Sequence, residues 1–235
     1  MSEDRDKDVI RDAVRDRYAE IATTGSSCCG SSDKGGSGDW AYLGRRTGLE
    51  QSLKLGYSEN ELSAAPEGAN LGLGCGNPQA IADLKPGEVV VDLGAGAGFD
   101  CFLAARAVGP TGRVIGVDMT PEMVGRAREI ARETGYDNVD FRLGEIEHLP
   151  VADATADVII SNCVINLSPD KPAVYAEAFR VLKPGGRLAV SDVVATAELP
   201  AEWKEDMALR CTCISGASLV SEVEEMLRAA GFVDI

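Results

Sequence analysis

Residues 89–100 read VVVDLGAGAGFD, and an acid closes the next segment, RVIGVD (113–118). The β-branched run Val89-Val90-Val91 predicts a strand with both faces buried. Glycines 94, 96 and 98 then allow a tight turn in which the backbone can approach a ligand closely. Phe99 to Ala107 continues as a helix. Strand, glycine turn and helix form the opening unit of a doubly wound sheet. Asp118 lies 20 residues beyond Gly98, at the end of the following strand. A carboxylate there can accept both ribose hydroxyls of an adenosine. The spacing is GxGxG rather than GxGxxG, so the turn does not have to leave a helix N-terminus free for a pyrophosphate.

The same alternation continues outward. Downstream, the pattern predicts a helix over 121–134, opened by Pro121 with Thr120 as its cap. Strands over 139–143 and 156–162, a helix over 173–182, a strand over 187–192 and a helix over 220–230 follow. Phe232 to Ile235 begins a further strand. Strands alternating with helices imply an α/β fold, a doubly wound, mostly parallel sheet. Upstream, Val9, Ile10, Ala13, Val14, Tyr18 and Ile21 recur at helical spacing and predict a helix over 3–22. Gly25 opens GSSCCGSSDKGGSG, which holds almost nothing able to build a core and reads as a flexible arm. Leu49, Leu53 and Leu55 suggest a short helix, and Ser58 with Glu61 a capping box. ANLGLGCGNP (69–78) reads as a glycine-rich loop.

The chain has 235 residues, 45% of them hydrophobic, which excludes global disorder. Its 38 acidic residues outnumber 23 basic ones, leaving a net charge of −15. That balance argues against a nucleic-acid backbone or an anionic membrane as the main partner. A solvated surface is the plain explanation. If it is instead tuned to a high-salt cytoplasm, stability and activity should rise between low and molar salt. The opening MSEDRDKDVI lacks an apolar segment of the kind a secretory signal needs, and no apolar run approaches the roughly 18 residues of a membrane helix. A cytoplasmic protein with reduced thiols is the expectation. The seven cysteines, at 28, 29, 75, 101, 163, 211 and 213, include no CxxC pair. Zinc ribbons and disulfide frameworks are therefore poor readings.

DLGAGAG (92–98), GVDM (116–119), LGEIEHLP (143–150), SNCVIN (161–166) and VLKPGGRLAVSD (181–192) together resemble the successive motifs of class I S-adenosylmethionine methyltransferases, in the family's order. The resemblance implies a Rossmann-like sheet with S-adenosylmethionine as cofactor. It implies that Gly94, Ala95, Gly96 and Gly98 border the methionine and ribose parts, with Asp92 also in the cofactor site. Asp118 would hold the ribose hydroxyls and Met119 would pack near the adenine. Glu145 and Ile146 would sit at the adenine edge, and Asn162 near the methionine end.

The single histidine, His148, lies inside the adenine-side motif and reads as a helix or loop residue rather than a base. An acceptor that already carries a lone pair would need none. Cys163 falls just past the fourth strand, at the carboxyl edge where such sheets bind ligands. Cys75 lies in the loop before the first strand, and Cys211 and Cys213 follow the fifth. Cys101 fits the ordinary role of a buried cysteine filling an apolar gap. Soft thiolates select soft metals and metalloids. LKLGYSENELSAAPEGANLGLGCGNP (53–78), GEIEHLPVAD (144–153), SNCVINLSPDK (161–171) and CISGA (213–217) closely resemble arsenite methyltransferases. In that family three thiols bind As(III), and by resemblance these are Cys75, Cys163 and Cys213. The family's further redox cysteine corresponds to Cys28 or Cys29. The resemblance implies As(III) or its thiol conjugates as substrate, with thioredoxin or glutathione as reductant. It implies no permanent metal, no nucleic acid and no membrane.

Two units are expected. Residues 1–78 form an N-terminal helix, a Cys-Cys arm and a substrate-side loop. Residues 79–235 form the cofactor-binding domain, with an arsenic-site insertion near 195–217. The family's sheet ends in two antiparallel strands after the last helix, and GFVDI stops inside the first of them. A methyltransferase acting on a quinone or other small carbon acceptor shares the cofactor motifs but gives the three cysteines no reason to converge. A non-enzymatic metalloid sensor leaves those motifs idle.

Overall fold

The computed structural model describes residues 2–24, 48–204 and 206–235. The Cys28-Cys29 arm lies outside the described residues. Five strands form one sheet: β1 (Val89–Leu93), β2 (Arg113–Asp118), β3 (Val139–Leu143), β4 (Ala156–Asn162) and β5 (Leu182–Ser191). Their order is β3-β2-β1-β4-β5, and all four pairings are parallel. The order reverses between β1 and β4. That switch point opens a crevice at the carboxyl ends of the strands, where ligands bind in such sheets.

Alternate residues of each strand feed two separate cores. Val90, Val114, Val158 and Ile160 pack under α5 (Phe99–Val108) and α6 (Pro121–Thr134), against Phe102, Ala105, Val124 and Ala127. Val91, Leu93, Ile115, Val117 and Ile159 face the other way, toward Val174, Tyr175, Ala178 and Val181 of α7 (Lys171–Val181). Leu227 of α10 (Val220–Ala230) joins that second layer. Each fully buried aliphatic side chain contributes about 1.5–3 kcal/mol, so these layers hold the strand ends in place. Cys101 is fully buried in the first core, and its thiol donates to Asp92 Oδ2 at 3.1 Å.

Upstream, α1 (Ser2–Thr24) packs Ile21 and Ala22 against Met123 of α6. Short helices α2 (Gly48–Lys54), α3 (Glu59–Ala64) and α4 (Gln79–Ala82) lead to β1. The Ser58–Glu61 capping box is present at α3. After β5 come two single-turn helices, α8 (Ala201–Lys204) and α9 (Met207–Arg210). Among the described residues no helix is long and apolar enough to cross a membrane.

Several features differ from the sequence expectation. α7 starts at Lys171, because the Asp170 side chain caps it by accepting from Ala173 N. β5 begins at Leu182, where Leu182 pairs with Ala156 and the register then shifts before Val158. Gly185, at φ +80°, supplies the left-handed residue that lets KPGG remain inside a bulged strand. Thr120 occupies the cap position of α6 but makes no capping bond, since its side chain turns to Asp118. Residues 232–235 form no strand.

Candidate active site

The β1–α5 turn is shaped by left-handed glycines, with φ +67° at Gly94, +52° at Gly96 and +91° at Gly98. A Cβ at Gly96 would meet nothing within 4 Å, so this backbone faces open space. A Cβ at Gly94 would lie 2.4 Å from Val164 Cγ2, so here glycine is required by packing. The turn borders a cavity of about 1110 Å³, part of it open to solvent. Asp92, Gly94, Ala95, Gly96, Asp118, Met119, Ile146 and Asn162 all line it. Gly98 does not; it caps α5, and a Cβ there would strike Phe141 and Phe102.

Asp118 Oδ2 accepts from Gly96 N at 2.9 Å and Oδ1 from Thr120 N at 2.8 Å, which fixes the carboxylate and leaves further lone pairs for a ligand. Burial raises its pKa against the pull of those two N–H groups. Asp92 is raised well above the usual carboxylate range, first by burial and then by Asp100. The hydrogen-bond partners of Asp92, Asp100 and Asp118 among the described residues are all neutral. Uncompensated buried carboxylates are costly, and a cationic ligand carrying a ribose would relieve that cost.

Glu145 does not line the cavity. Its carboxylate turns outward to Arg11 and Arg15 of α1, at 3.5 and 3.7 Å. The neighbouring Glu147, 4% exposed, lines it instead and accepts from Ser168 Oγ at 2.6 Å. Arg11, Val14 and Tyr18 of α1 close one side, a contribution that the amphipathic pattern of α1 did not reveal. His148 is exposed in its loop.

Next to the cavity, Cys75 and Cys213 each approach Cys163. Cys75 Sγ, Cys163 Sγ and a carboxylate oxygen of Asp192 lie within 4.8 Å of one another. The Cys213 thiol donates to the Cys163 carbonyl at 3.0 Å. The Cys75 thiol is pushed up strongly, first by its contact with Cys163 and then by burial. Cys163 is pushed up first by its contact with Cys213. Cys75 and Cys163 are thus neutral thiols at pH 7. Cys163 (φ +58°) and Cys213 (φ +65°) are two of five non-glycine residues with left-handed backbone among the described residues. Such strain costs about 1–3 kcal/mol each and clusters where a side chain must be aimed.

Cys75 is tied to the sheet by two contacts. Its N–H donates to Asn162 Oδ1 at 3.0 Å, and its thiol to the Ser191 carbonyl at 3.3 Å. The glycines on both sides permit this approach. A Cβ at Gly74 would meet Asn162 at 2.6 Å, and one at Gly76 would lie 1.9 Å from Ser191 Oγ. Asn162 Nδ2 donates in turn to Tyr57 Oη, Gly76 O and Asp100 Oδ2, at 3.0, 2.9 and 3.0 Å. Tyr57 and Asp100 were not singled out from the sequence, because nothing in it marks a tyrosine 43 residues from an aspartate as its partner at 2.7 Å. Cys211 lies in the apolar cluster around Val14, Leu167 and Cys213.

A family profile described as "Methyltransferase domain" matches residues 84–231. An arsenite methyltransferase of Halobacterium salinarum is 53% identical over 232 residues, covering 99% of this chain and 59% of that protein. One of Aquipseudomonas alcaligenes is 46% identical over 168 residues, covering 68% of this chain and 48% of that protein. The chain spans about half the length of the curated relatives it matches. Among solved structures, CrArsM, an arsenic(III) S-adenosylmethionine methyltransferase from Chlamydomonas reinhardtii, aligns with a TM-score of 0.64 at 38% identity. That alignment covers 80% of this chain and 62% of the other. The doubly wound sheet, the glycine turn and Asp118 all fall within the profile match, and the chain belongs to the methyltransferase-domain family.

Proposed function

We propose that the chain methylates trivalent arsenic with S-adenosylmethionine as donor. The observation that carries this reading is the approach of Cys75 and of Cys213 to Cys163, from three segments distant in sequence, beside a cavity suited to a cationic nucleoside. When bound, S-adenosylmethionine supplies an electrophilic methyl group. Asp118 would accept its ribose hydroxyls, and Asp92 would face the methionine ammonium. Gly94, Ala95 and Gly96 would border the chain between them, and Gly98 would hold the turn that shapes that border. Met119 and Ile146 would pack near the adenine, and Asn162 near the methionine end.

Arsenous acid is uncharged at neutral pH, so the acidity of the chain does not repel it. Its three As–O bonds are exchanged for As–S bonds to Cys75, Cys163 and Cys213. Each protonated thiol gives its hydrogen to a leaving hydroxyl, and three waters depart. No external base is needed, in keeping with Cys75 and Cys163 held neutral. Tethering makes the second and third exchanges intramolecular. The trithiolate leaves the arsenic lone pair as nucleophile, and the protein contributes positioning and a dry site. Methylation formally takes arsenic from As(III) to As(V). A disulfide formed between an arsenic-bound sulfur and a free thiol breaks that As–S bond, returns two electrons to arsenic and releases one proton. Cys75 with Cys28 or Cys29 fits that role, and thioredoxin or glutathione would reset the bond.

The test is transfer of labelled methyl from S-adenosylmethionine to sodium arsenite, with and without a thiol reductant. Methylated arsenic should form, and Cys75→Ser, Cys163→Ser or Cys213→Ser should abolish it. Full activity in all three variants would sink the trithiolate reading.

A further inference from the structure

Cys213 sits on a turn that belongs to neither sheet nor long helix. One end of its segment is fixed by Ala195 N donating to Ser218 O at 2.9 Å. The turn itself is held by the Lys171 ammonium. Lys171 Nζ donates to Asn166 Oδ1 at 2.8 Å, to Ser218 Oγ at 2.7 Å and to the Gly216 carbonyl, which uses all three of its hydrogens. All three acceptors are neutral, and burial pulls the lysine's pKa down to about 8. Burying an ammonium among neutral partners is expensive. Its location suggests what that expense secures. Asn166 stands three residues after Cys163, while Gly216 and Ser218 stand three and five residues after Cys213. The two turns approach so closely that a Cβ at Gly216 would lie 1.9 Å from Asn166 O.

Asn166 extends the tie. Its Nδ2 donates to Asp192 Oδ1 at 2.8 Å and to Val193 O at 2.6 Å. The preceding Ser191 carbonyl accepts from both the Cys75 thiol and Cys163 N, at 3.3 and 2.8 Å. One chain of hydrogen bonds thus joins the three cysteine-bearing segments, with Lys171 at the Cys213 end.

We propose that Lys171 is a positioning residue that holds the Cys213 thiol against the Cys163 turn, so that As(III) is gripped by three sulfurs rather than two. This rests on the arsenite reading above. An ammonium presents three hydrogens in a tripod, whereas a guanidinium presents a planar fork, so arginine is no substitute here.

The experiment is differential alkylation of the full chain, read by mass spectrometry, with and without sodium arsenite. S-adenosylhomocysteine affinity is measured in parallel by calorimetry. In the unsubstituted protein arsenite should shield Cys75, Cys163 and Cys213 alike. Lys171→Met should lose shielding at Cys213 alone and weaken arsenite binding at least about tenfold, as loss of a tethered contact does. S-adenosylhomocysteine should still bind within twofold. Ser218→Ala, which removes one acceptor, should give the same selective loss in milder form, and Lys171→Arg should not restore shielding. Cys213 fully shielded in both Lys171→Met and Ser218→Ala overturns the proposal. So does a uniform loss at all three thiols together with the nucleoside, which marks a merely structural lysine. If arsenite shields no cysteine in the unsubstituted protein, the arsenite reading itself falls and takes this proposal with it.

Discussion

The two halves of the site are built differently. The nucleoside half is centred on a single strand–turn–helix unit whose residues from Asp92 to Gly98 are contiguous, with Asp118 and Met119 added from the end of the neighbouring strand and Ile146 and Asn162 from farther along the chain. The thiol half has no contiguous unit. Cys75, Cys163 and Cys213 come from three loops, two of them with left-handed backbone at the cysteine, and long-range hydrogen bonds hold them together. A local unit forms from its own glycines and needs little from the rest of the fold. An assembled cluster depends on every segment that frames it. Damage should therefore stay within the half it strikes. Substitutions in the frame should cripple the thiol half while sparing the nucleoside half.

The sharpest break is Cys163→Ser. It removes the central sulfur and should lower arsenic methylation by at least about 100-fold, with S-adenosylhomocysteine affinity within twofold by calorimetry. Gly76→Ala tests the frame rather than a ligand. Its new methyl collides with Ser191 Oγ, so arsenite affinity should drop by about tenfold, a cost in the lower part of the usual overpacking range. Adding Ser191→Ala should recover part of it. No recovery would mean that the collision is not the cause.

Asp118→Asn addresses the local half. Losing one charged acceptor should weaken the nucleoside by about 10-fold, a charged hydrogen bond's worth. Alkylation shielding by arsenite should be unchanged. If shielding collapses as well, the two halves are not separable as described.

The smallest effect is reserved for a control at the amino end of the sheet. Asp157 accepts from Lys183 Nζ and Val89 N, each at 2.8 Å. Partial burial pushes its pKa up, but these partners outweigh burial and leave it below the usual carboxylate range. A depressed folded pKa stabilises above the unfolded value near 4. That contribution fades as pH falls through the folded value. The pair is 41% and 30% exposed on its two sides, so screening keeps Asp157→Asn to about 0.5–1 kcal/mol at pH 7. Denaturant unfolding should show the gap closing in acid, and neither ligand should notice.

The sequence speaks clearly where structure is local. The five strands, the glycine turn and Asp118 could be read because each depends on neighbours within one supersecondary unit. The three cysteines could be picked out, but only by resemblance and by their position at strand ends. The geometry that aims them was not visible. Asn162 could be placed near the cavity, yet its use in holding Cys75 depends on Tyr57 and Asp100, which meet it only in three dimensions. Lys171 and Asn166 both fall within quoted motifs, SNCVINLSPDK, yet spacing gives a lysine no reason to reach a serine 47 residues away. Glu145 shows the opposite failure. A motif position implied the cavity, but the basic face of α1 captured its carboxylate.

Val164 links the two halves in a way that bears on how such a site can change over generations. It follows Cys163 and fills the space that a side chain at position 94 would need. A side chain at position 94 would require a smaller residue at 164, directly beside Cys163, so the donor turn and the central sulfur are coupled through one contact. The Cys75 loop is freer, since it is held by Asn162 and Ser191, whereas Cys213 packs in the same apolar cluster as that wedge.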